Sequence, residues 1–501
     1  MTMHEFDLIL RDAELFDGLG SAARRGDLAV SDGRIVAIGE VGALGGRATE
    51  EIDAAGLALA PGFIDIHTHD DFACLRHPDM AFKTLGGVTT CVVGNCGFGP
   101  APYASAQALF AGLTPGSALP DYGDHAGYAR LLEARPPATN IGVLAGHGTL
   151  RHAAMGLAAR APTAPEMQRM RDALSHALEA GVLGLSSGLI YEPGKHAATE
   201  ELIGLAEVMR DSGAFYATHL RNEAGGLLES VDEALAIGAG AGVPVLLSHH
   251  KAAGRDNWGR VHDSLARIAQ ARARGQTVNL DQYPYTAGST MLAAVLANGV
   301  LTPAAARGGI GDVGAEDVLV AAAPGRPEWD GRSIAELARA FGLAPRAAAE
   351  RVVAEAPGAT AIIHMMSEDD VRTVLRHPGT LIGSDGIPTL DGKPHPRLYG
   401  SFARVLGHYA RELAVLTLAD AVARMTGLSA RCLGLTDRGV LREGAWADLT
   451  LFDATTVRDV GTFDAPQRPP CGIVGVWVNG RRVVAEGKAT AERPGRVLRR
   501  A

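Results

Sequence analysis

Ala60-Pro61-Gly62-Phe63-Ile64-Asp65-Ile66-His67-Thr68-His69 is the stretch whose reading decides the fold. Its apolar residues alternate with others and run into a His-x-His pair, the pattern of a buried strand whose last two imidazoles project from one face. A pair so placed can approach one metal ion. Two histidines at a strand end can equally just pack or hydrogen-bond, so the choice rests on what the rest of the chain carries.

From about Pro61 to about Leu433, β-like runs alternate with helical stretches. After the opening strand the runs are 89–94, 140–145, 184–187, 215–218, 243–248, 277–281 and 380–384, with helical spacing over 166–180, 199–212, 226–239 and 261–274. That makes eight β/α units, the count of a parallel (β/α)8 TIM barrel, whose active site lies at the C-terminal ends of the strands. The two ends of the chain read differently. Short strands and turns fill 6–52, with Asp32-Gly33 as a hairpin turn, and the same texture returns at 447–453 and 472–480. The expected division is therefore a small discontinuous β-sandwich domain built from residues 1–60 and 434–501 around an α/β barrel of 61–433. One interval breaks the barrel's rhythm. An Ala-, Pro- and Gly-rich excursion at about 286–350 reads as an inserted helical lid, since insertions at strand ends often cover the site.

At 501 residues the chain can bury a large core, and 63 glycines spread along it suit a loop-rich globular enzyme. The net charge of -9 comes with no basic run, which argues against nucleic acid or a membrane surface as partner and leaves a small molecule. No apolar run reaches the roughly 20 residues that span a bilayer. Residues 1–10 lack a basic segment followed by an apolar one, so a cytoplasmic protein is expected. Five scattered cysteines, an odd number, argue against a disulfide framework and leave a thiol for other chemistry. Nothing in the chain speaks of its oligomeric state.

Other strand ends carry matching groups. Cys96 follows an apolar strand among glycines and can serve as a thiolate ligand for a borderline-soft ion such as zinc. His219 follows 215–218. His249 follows 245–248, and its neighbour His250 faces the other way if the strand persists, so His249 is preferred. Asp385, delivered by Leu381-Ile382-Gly383-Ser384 into a glycine turn, is either a turn cap or an active-site base. Any one of these alone reads as packing or capping; six at one rim do not.

The Pro61-to-His69 motif, the histidines ending the fifth and sixth strands, Gly383-Ser384-Asp385 and the C-terminal segment from Glu443 to Asp453 together resemble the amidohydrolase superfamily. The fourth strand, Gly184-Leu185-Ser186-Ser187-Gly188-Leu189, offers no lysine to be carboxylated, which departs from dihydroorotases and hydantoinases. Cys96 with Thr218-His219-Leu220-Arg221-Asn222-Glu223, Ser248-His249-His250-Lys251 and Asp281-Gln282-Tyr283-Pro284-Tyr285 is similar to the N-acyl-D-amino-acid deacylases, or D-aminoacylases.

That resemblance implies a tightly held zinc on Cys96, His219 and His249, with His67 and His69 forming a second, weaker site. It implies hydrolysis of an N-acyl-D-amino acid to a carboxylate, such as acetate, and the free D-amino acid, with Asp385 as general base and then acid. Lys251, Tyr191, Tyr283 and Ser289 would meet the substrate and its α-carboxylate, and Arg221 would too unless it pairs with Glu223. The apolar run Met291-Leu292-Ala293-Ala294-Val295-Leu296 contains no arginine to meet an acidic side chain, so hydrophobic D-amino acids are expected. The competing readings are an amidohydrolase acting on cyclic amides or dipeptides, and a barrel scaffold that has lost catalysis.

Overall fold

The computed structural model describes residues 5–110, 119–302 and 308–500; residues 1–4 and 501 of the expected β domain, 111–118 of the expected barrel and 303–307 of the expected insertion lie outside them. Eight parallel strands, Phe63–Asp65, Val88–Val93, Asn140–Gly146, Gly184–Gly188, Phe215–His219, Val245–Leu247, Val278–Gln282 and Thr380–Ile382, pair each with the next in sequence order. The first and last strands share no ladder. They meet just above their ends, where Thr68 bridges Gly386, Asp385 N–H donates to His67 O at 2.7 Å and His69 N–H donates to Gly386 O at 3.1 Å.

Both faces of these strands are buried, which is why they read as apolar runs rather than clean alternation. Phe215 and Ala217 join Ile64, Ile66, Val92, Leu144, Leu246 and Leu381 in the barrel interior. Tyr216, between them, belongs to the outer layer under the helices, with Leu174, Leu205, Val231 and Ile268. The helix Ala164–Glu179 shows how the sequence starts such a helix. The Glu166 carboxylate accepts from the Thr163 backbone N–H at 2.7 Å, Pro165 stands in the first turn, and the face carrying Met170, Leu174 and Ala177 is buried. A cap of this kind contributes about 1 kcal/mol, far less than the packed face.

The termini build one nine-stranded sheet. Its join is the antiparallel pairing of Ala58–Pro61 with Leu449–Phe452, and Leu8, Leu28, Ile35, Leu59, Leu449 and Trp477 form its core. Asp32 and Gly33 take φ of 51° and 74°, the two left-handed positions of the expected hairpin turn. The excursion after the seventh strand is not helical alone. Besides the helices Leu292–Ala297, Ile334–Phe341 and Pro345–Glu355 it carries a three-stranded antiparallel sheet, with Thr360–His364 between Ala287–Met291 and Val318–Ala322. These strands are short and set in Ala- and Gly-rich sequence, and the central one falls beyond residue 350. Among the described residues no helix is long and apolar enough to cross a membrane.

Candidate active site and metal centre

The six strand-end residues meet at the C-terminal mouth of the barrel. His219 closes the fifth strand on the face of Phe215 and Ala217 and so points inward by simple alternation. His67 and His69 arrive differently. The first strand ends at Asp65, and Ile64 and Ile66 fill the interior, so continued alternation would turn both histidines outward with Phe63. The irregular chain after Asp65 brings them over the rim instead, with ring centroids 5.6 Å apart. Cys96, His249 and Asp385 have φ of 53°, 34° and 49°. Left-handed backbone at non-glycine residues costs of order 1–3 kcal/mol each and persists where surrounding contacts over-determine it. Gly383 has a separate reason to be glycine, because a Cβ there would sit 2.5 Å from His67 Cβ.

Cys96 Sγ is the centre of the cluster, at 3.3 Å from His67 Nε2, 3.5 Å from His249 Nε2 and 3.8 Å from His219 Nδ1. Zinc held tetrahedrally, with Zn–S of about 2.3 Å and Zn–N of about 2.0 Å, requires S···N edges of about 3.5 Å. The donor set therefore fits zinc in both chemistry and spacing. His69 Nδ1 and His219 Nε2 are buried without hydrogen-bond partners, the latter 3.7 Å from Glu223 Oε2, capacity that remains for a ligand. Three compact ligand groups overlap here: His67, Cys96 and His249; His67, His69 and Asp385; and His219, Glu223 and His249. Cys96 thus shares its group with His67 and His249, while His219 is grouped with Glu223. Burial disfavours the Cys96 thiolate, but His67 and His249 outweigh it and hold the thiol well below its ordinary range.

Carboxylates that the sequence reading did not assign support this cluster. Asp281 receives His67 Nδ1 at 3.1 Å and the His249 backbone N–H at 2.9 Å. Glu223 lies 3.1 Å from His249 Nδ1 and 2.6 Å from Lys251 Nζ. A carboxylate on the second ring nitrogen fixes the tautomer and aims the first, as Asp281 does for His67 toward Cys96, whereas His249 Nδ1 is shared between Glu223 and Lys251 Nζ at 2.8 Å. Asp385 Oδ1 stands 3.1 Å from His69 Nε2 and 3.6 Å from His67 Nε2, and its other oxygen pairs with Arg397 Nη1 at 2.9 Å. Burial pushes the Asp385 carboxyl up, but Arg397, His249 and His69 hold it well below the usual carboxylate range. Arg397 is fully buried, stacks 4.5 Å from the Tyr283 ring and donates to Ser289 O at 3.1 Å.

Above the cluster lies a narrow cavity of about 40 Å³ lined by His69, Cys96, His219, His249 and Asp385, and also by Lys251, Tyr191, Tyr283 and Ser289. The insertion contributes Ser289, Thr290, Met291, Ile310, Ile363 and Met365 to its wall, and Tyr191 OH reaches Thr290 Oγ1 at 3.0 Å. Arg221 is not brought there. It pairs with Glu233 at 2.8 Å, not Glu223, and donates to the carbonyls of Lys195 and Ala197, so its guanidinium is fully engaged outside the cavity. On the fourth strand, Ser186 bonds Gly94 O and Ser187 bonds Tyr216 OH, where a carboxylated lysine would have to stand.

The Amidohydrolase family model matches residues 50–484. The N-acyl-D-aspartate deacylase of Alcaligenes xylosoxydans xylosoxydans is 44% identical over 494 residues, 98% of this chain and 95% of that one. The D-aminoacylase of the same organism is 42% identical over 500 residues, 99% of this chain and 98% of that one. Among solved structures, the N-acyl-D-glutamate deacylase from Bordetella bronchiseptica, complexed with zinc and a phosphonate mimic of the tetrahedral intermediate, matches with a TM-score of 0.89. It is 43% identical, over 99% of this chain and 100% of that one. Likeness of this depth along the whole of both chains places the protein in the amidohydrolase family, among its N-acyl-D-amino-acid deacylases.

Proposed function

We propose that this protein is a metal-dependent hydrolase of N-acyl-D-amino acids with hydrophobic side chains, releasing a carboxylate such as acetate and the free D-amino acid. The observation that carries the reading is Asp385, ionised and 3.1 Å from His69 at the edge of a Cys96-centred zinc donor set, in the wall of the cavity above the barrel mouth. Zinc held there would supply a water whose pKa lies toward roughly 7 and a Lewis acid for the amide carbonyl. Asp385 then takes the proton of the attacking water and delivers it to the amine, which leaves poorly unless protonated. Arg397 keeps that carboxylate aimed and charged between the two steps. Cys96, His219 and His249 would hold the tight ion, with His67 and His69 offering the weaker position.

Lys251 remains cationic although buried, because Glu223 and Tyr283 outweigh the desolvation of its ammonium. It is the point charge for the α-carboxylate, with the hydroxyls of Tyr191, Tyr283 and Ser289 beside it. Phe98, Ile190, Met291, Ile310, Ile363 and Met365 make the rest of the wall apolar, and among the described residues no arginine lines it. This supports leucine, methionine or phenylalanine over glutamate or aspartate, and the preference for the D form rests on family membership. All five cysteines are unpaired, which suits the reducing cytoplasm.

Initial rates on N-acetyl-D-methionine, N-acetyl-D-glutamate and N-acetyl-L-methionine test the proposal. N-acetyl-D-methionine should be fastest. A faster rate on N-acetyl-D-glutamate overturns the side-chain preference, and no hydrolysis of either D substrate by zinc-loaded protein overturns the activity.

A further inference from the structure

The barrel seam between the first and eighth strands has no hydrogen-bonded ladder, yet it carries His67, His69 and Asp385. Two backbone hydrogen bonds at the Thr68–Gly386 bridge join it at the mouth, and a side-chain knot around Lys83 reinforces them. This lysine stands in the short helix Ala81–Thr84 and is 1% exposed. Its ammonium donates to Asp65 Oδ2 at 2.7 Å, to Thr68 Oγ1 at 2.8 Å and to Ser384 Oγ at 2.8 Å, which uses all three N–H groups. Asp70 lies 3.4 Å away on the same side. Asp65, at the end of the first strand, also accepts from the Ser384 backbone N–H at 2.8 Å and from its hydroxyl at 2.6 Å. Ser384 Oγ in turn accepts from Gly386 N–H at 3.0 Å, and Gly386 O accepts from His69 N–H at 3.1 Å.

One cation therefore touches the residue between the two histidines and the residue before the presumed base. A cation this deep is rare unless paired, and its desolvation costs several kcal/mol, so apolar packing would close a seam more cheaply. Three directed bonds add a side-chain clip to the two backbone hydrogen bonds, Asp385 N–H to His67 O and His69 N–H to Gly386 O, that otherwise alone set the offset between the two strand ends.

We propose that Lys83 is a positioning residue: through Thr68 and Ser384 it sets where Asp385 stands relative to His67 and His69. The proposal rests on the deacylase reading above, since it assigns Lys83 a part in that reaction without contact to substrate. Misplacement by an ångström can cost about 100-fold in rate, so loss of the clip should appear in turnover more than in substrate binding.

The test is steady-state kinetics of the zinc-loaded wild type, Ser384→Ala, Lys83→Met and the double variant on N-acetyl-D-methionine, with zinc content and thermal midpoint measured alongside. Ser384→Ala, which keeps the lysine and its partner Asp65, should lower kcat at least about tenfold with KM within about twofold and zinc retained. Lys83→Met should lower kcat further, and the loss in the double variant should fall well short of the product of the two single losses, because ammonium and hydroxyl share one network. If Lys83→Met fails to fold, Ser384→Ala decides alone. Wild-type kcat in Ser384→Ala, or losses that multiply independently in the double variant, overturn the proposal. An inactive wild type instead overturns the deacylase reading, so the two failures are distinguishable.

Discussion

Asp385 concentrates the site's chemistry in one side chain. Its backbone is left-handed at φ 49°, one oxygen faces His69 and the other is held by Arg397 at 2.9 Å. Asp385→Asn keeps shape and volume but cannot accept and return a proton. Turnover should fall by about 10²- to 10⁴-fold while zinc is retained, as read by kcat and by atomic emission on the same sample. A variant that keeps more than about a tenth of the wild-type rate removes Asp385 from that role. Asp385 was legible because a strand delivers it into a glycine turn. Arg397 was not: it follows an irregular stretch with no periodic signal, and only the fold shows that it returns beneath Tyr283 and Asp385. Arg221 shows the same limit in another form. Glu223 and Glu233 are both within its reach in sequence, and the helix Leu227–Ala241 is what presents Glu233 to it.

Strands announce themselves when they are apolar on both faces and end in glycine or a polar residue, as Val88–Val93 and Phe215–His219 do, and that is why the barrel could be counted before it was seen. Ala287–Met291, with glycine, serine and threonine at its centre, gives no such signal, so the sheet inside the insertion was missed while its helices were not. The His-x-His strand was identified for a geometry it does not have, since the turn after Asp65, rather than strand pleat, places both rings. The fifth and sixth strands are paired through their backbones, but no ladder joins either to the second, so a metal ion on Cys96, His219 and His249 would cross-link the second strand to the fifth and sixth across the mouth. Its removal leaves a buried thiolate among imidazoles. Chelation should therefore abolish activity and lower the thermal midpoint, and stoichiometric zinc should restore both. An unchanged midpoint after verified loss of the metal would contradict the cross-link.

At the scale of the whole molecule, imidazoles outside the metal-ligand set, His125 and His395 buried and His377 half-buried, are held neutral by the fold and make it sensitive to acid. Burial pushes His125 down to about 4 against the opposing pull of Asp124, and its Nε2 has no partner. Burial, Arg272 and Arg424 bring His377 to about 4, and burial with Arg397 takes His395 well below its ordinary value. In the unfolded chain these groups protonate near pH 6.5, so between about 6.5 and 4 the unfolded state binds more protons than the folded one. Stability must then rise with pH across that window and be lost as pH falls through it. For His125 alone the loss amounts to roughly 3 kcal/mol once pH reaches about 4. Zinc release in acid acts in the same direction, so wild type alone cannot separate the two contributions. His125→Gln can, because the metal site is untouched and the replacement does not titrate. The drop in thermal midpoint between pH 7.5 and 5, taken at one scan rate with zinc in excess, should be smaller in His125→Gln than in wild type. Equal drops would mean that His125 takes up its proton without unfolding, and that burial at the head of the helix His125–Ala134 does not hold it neutral.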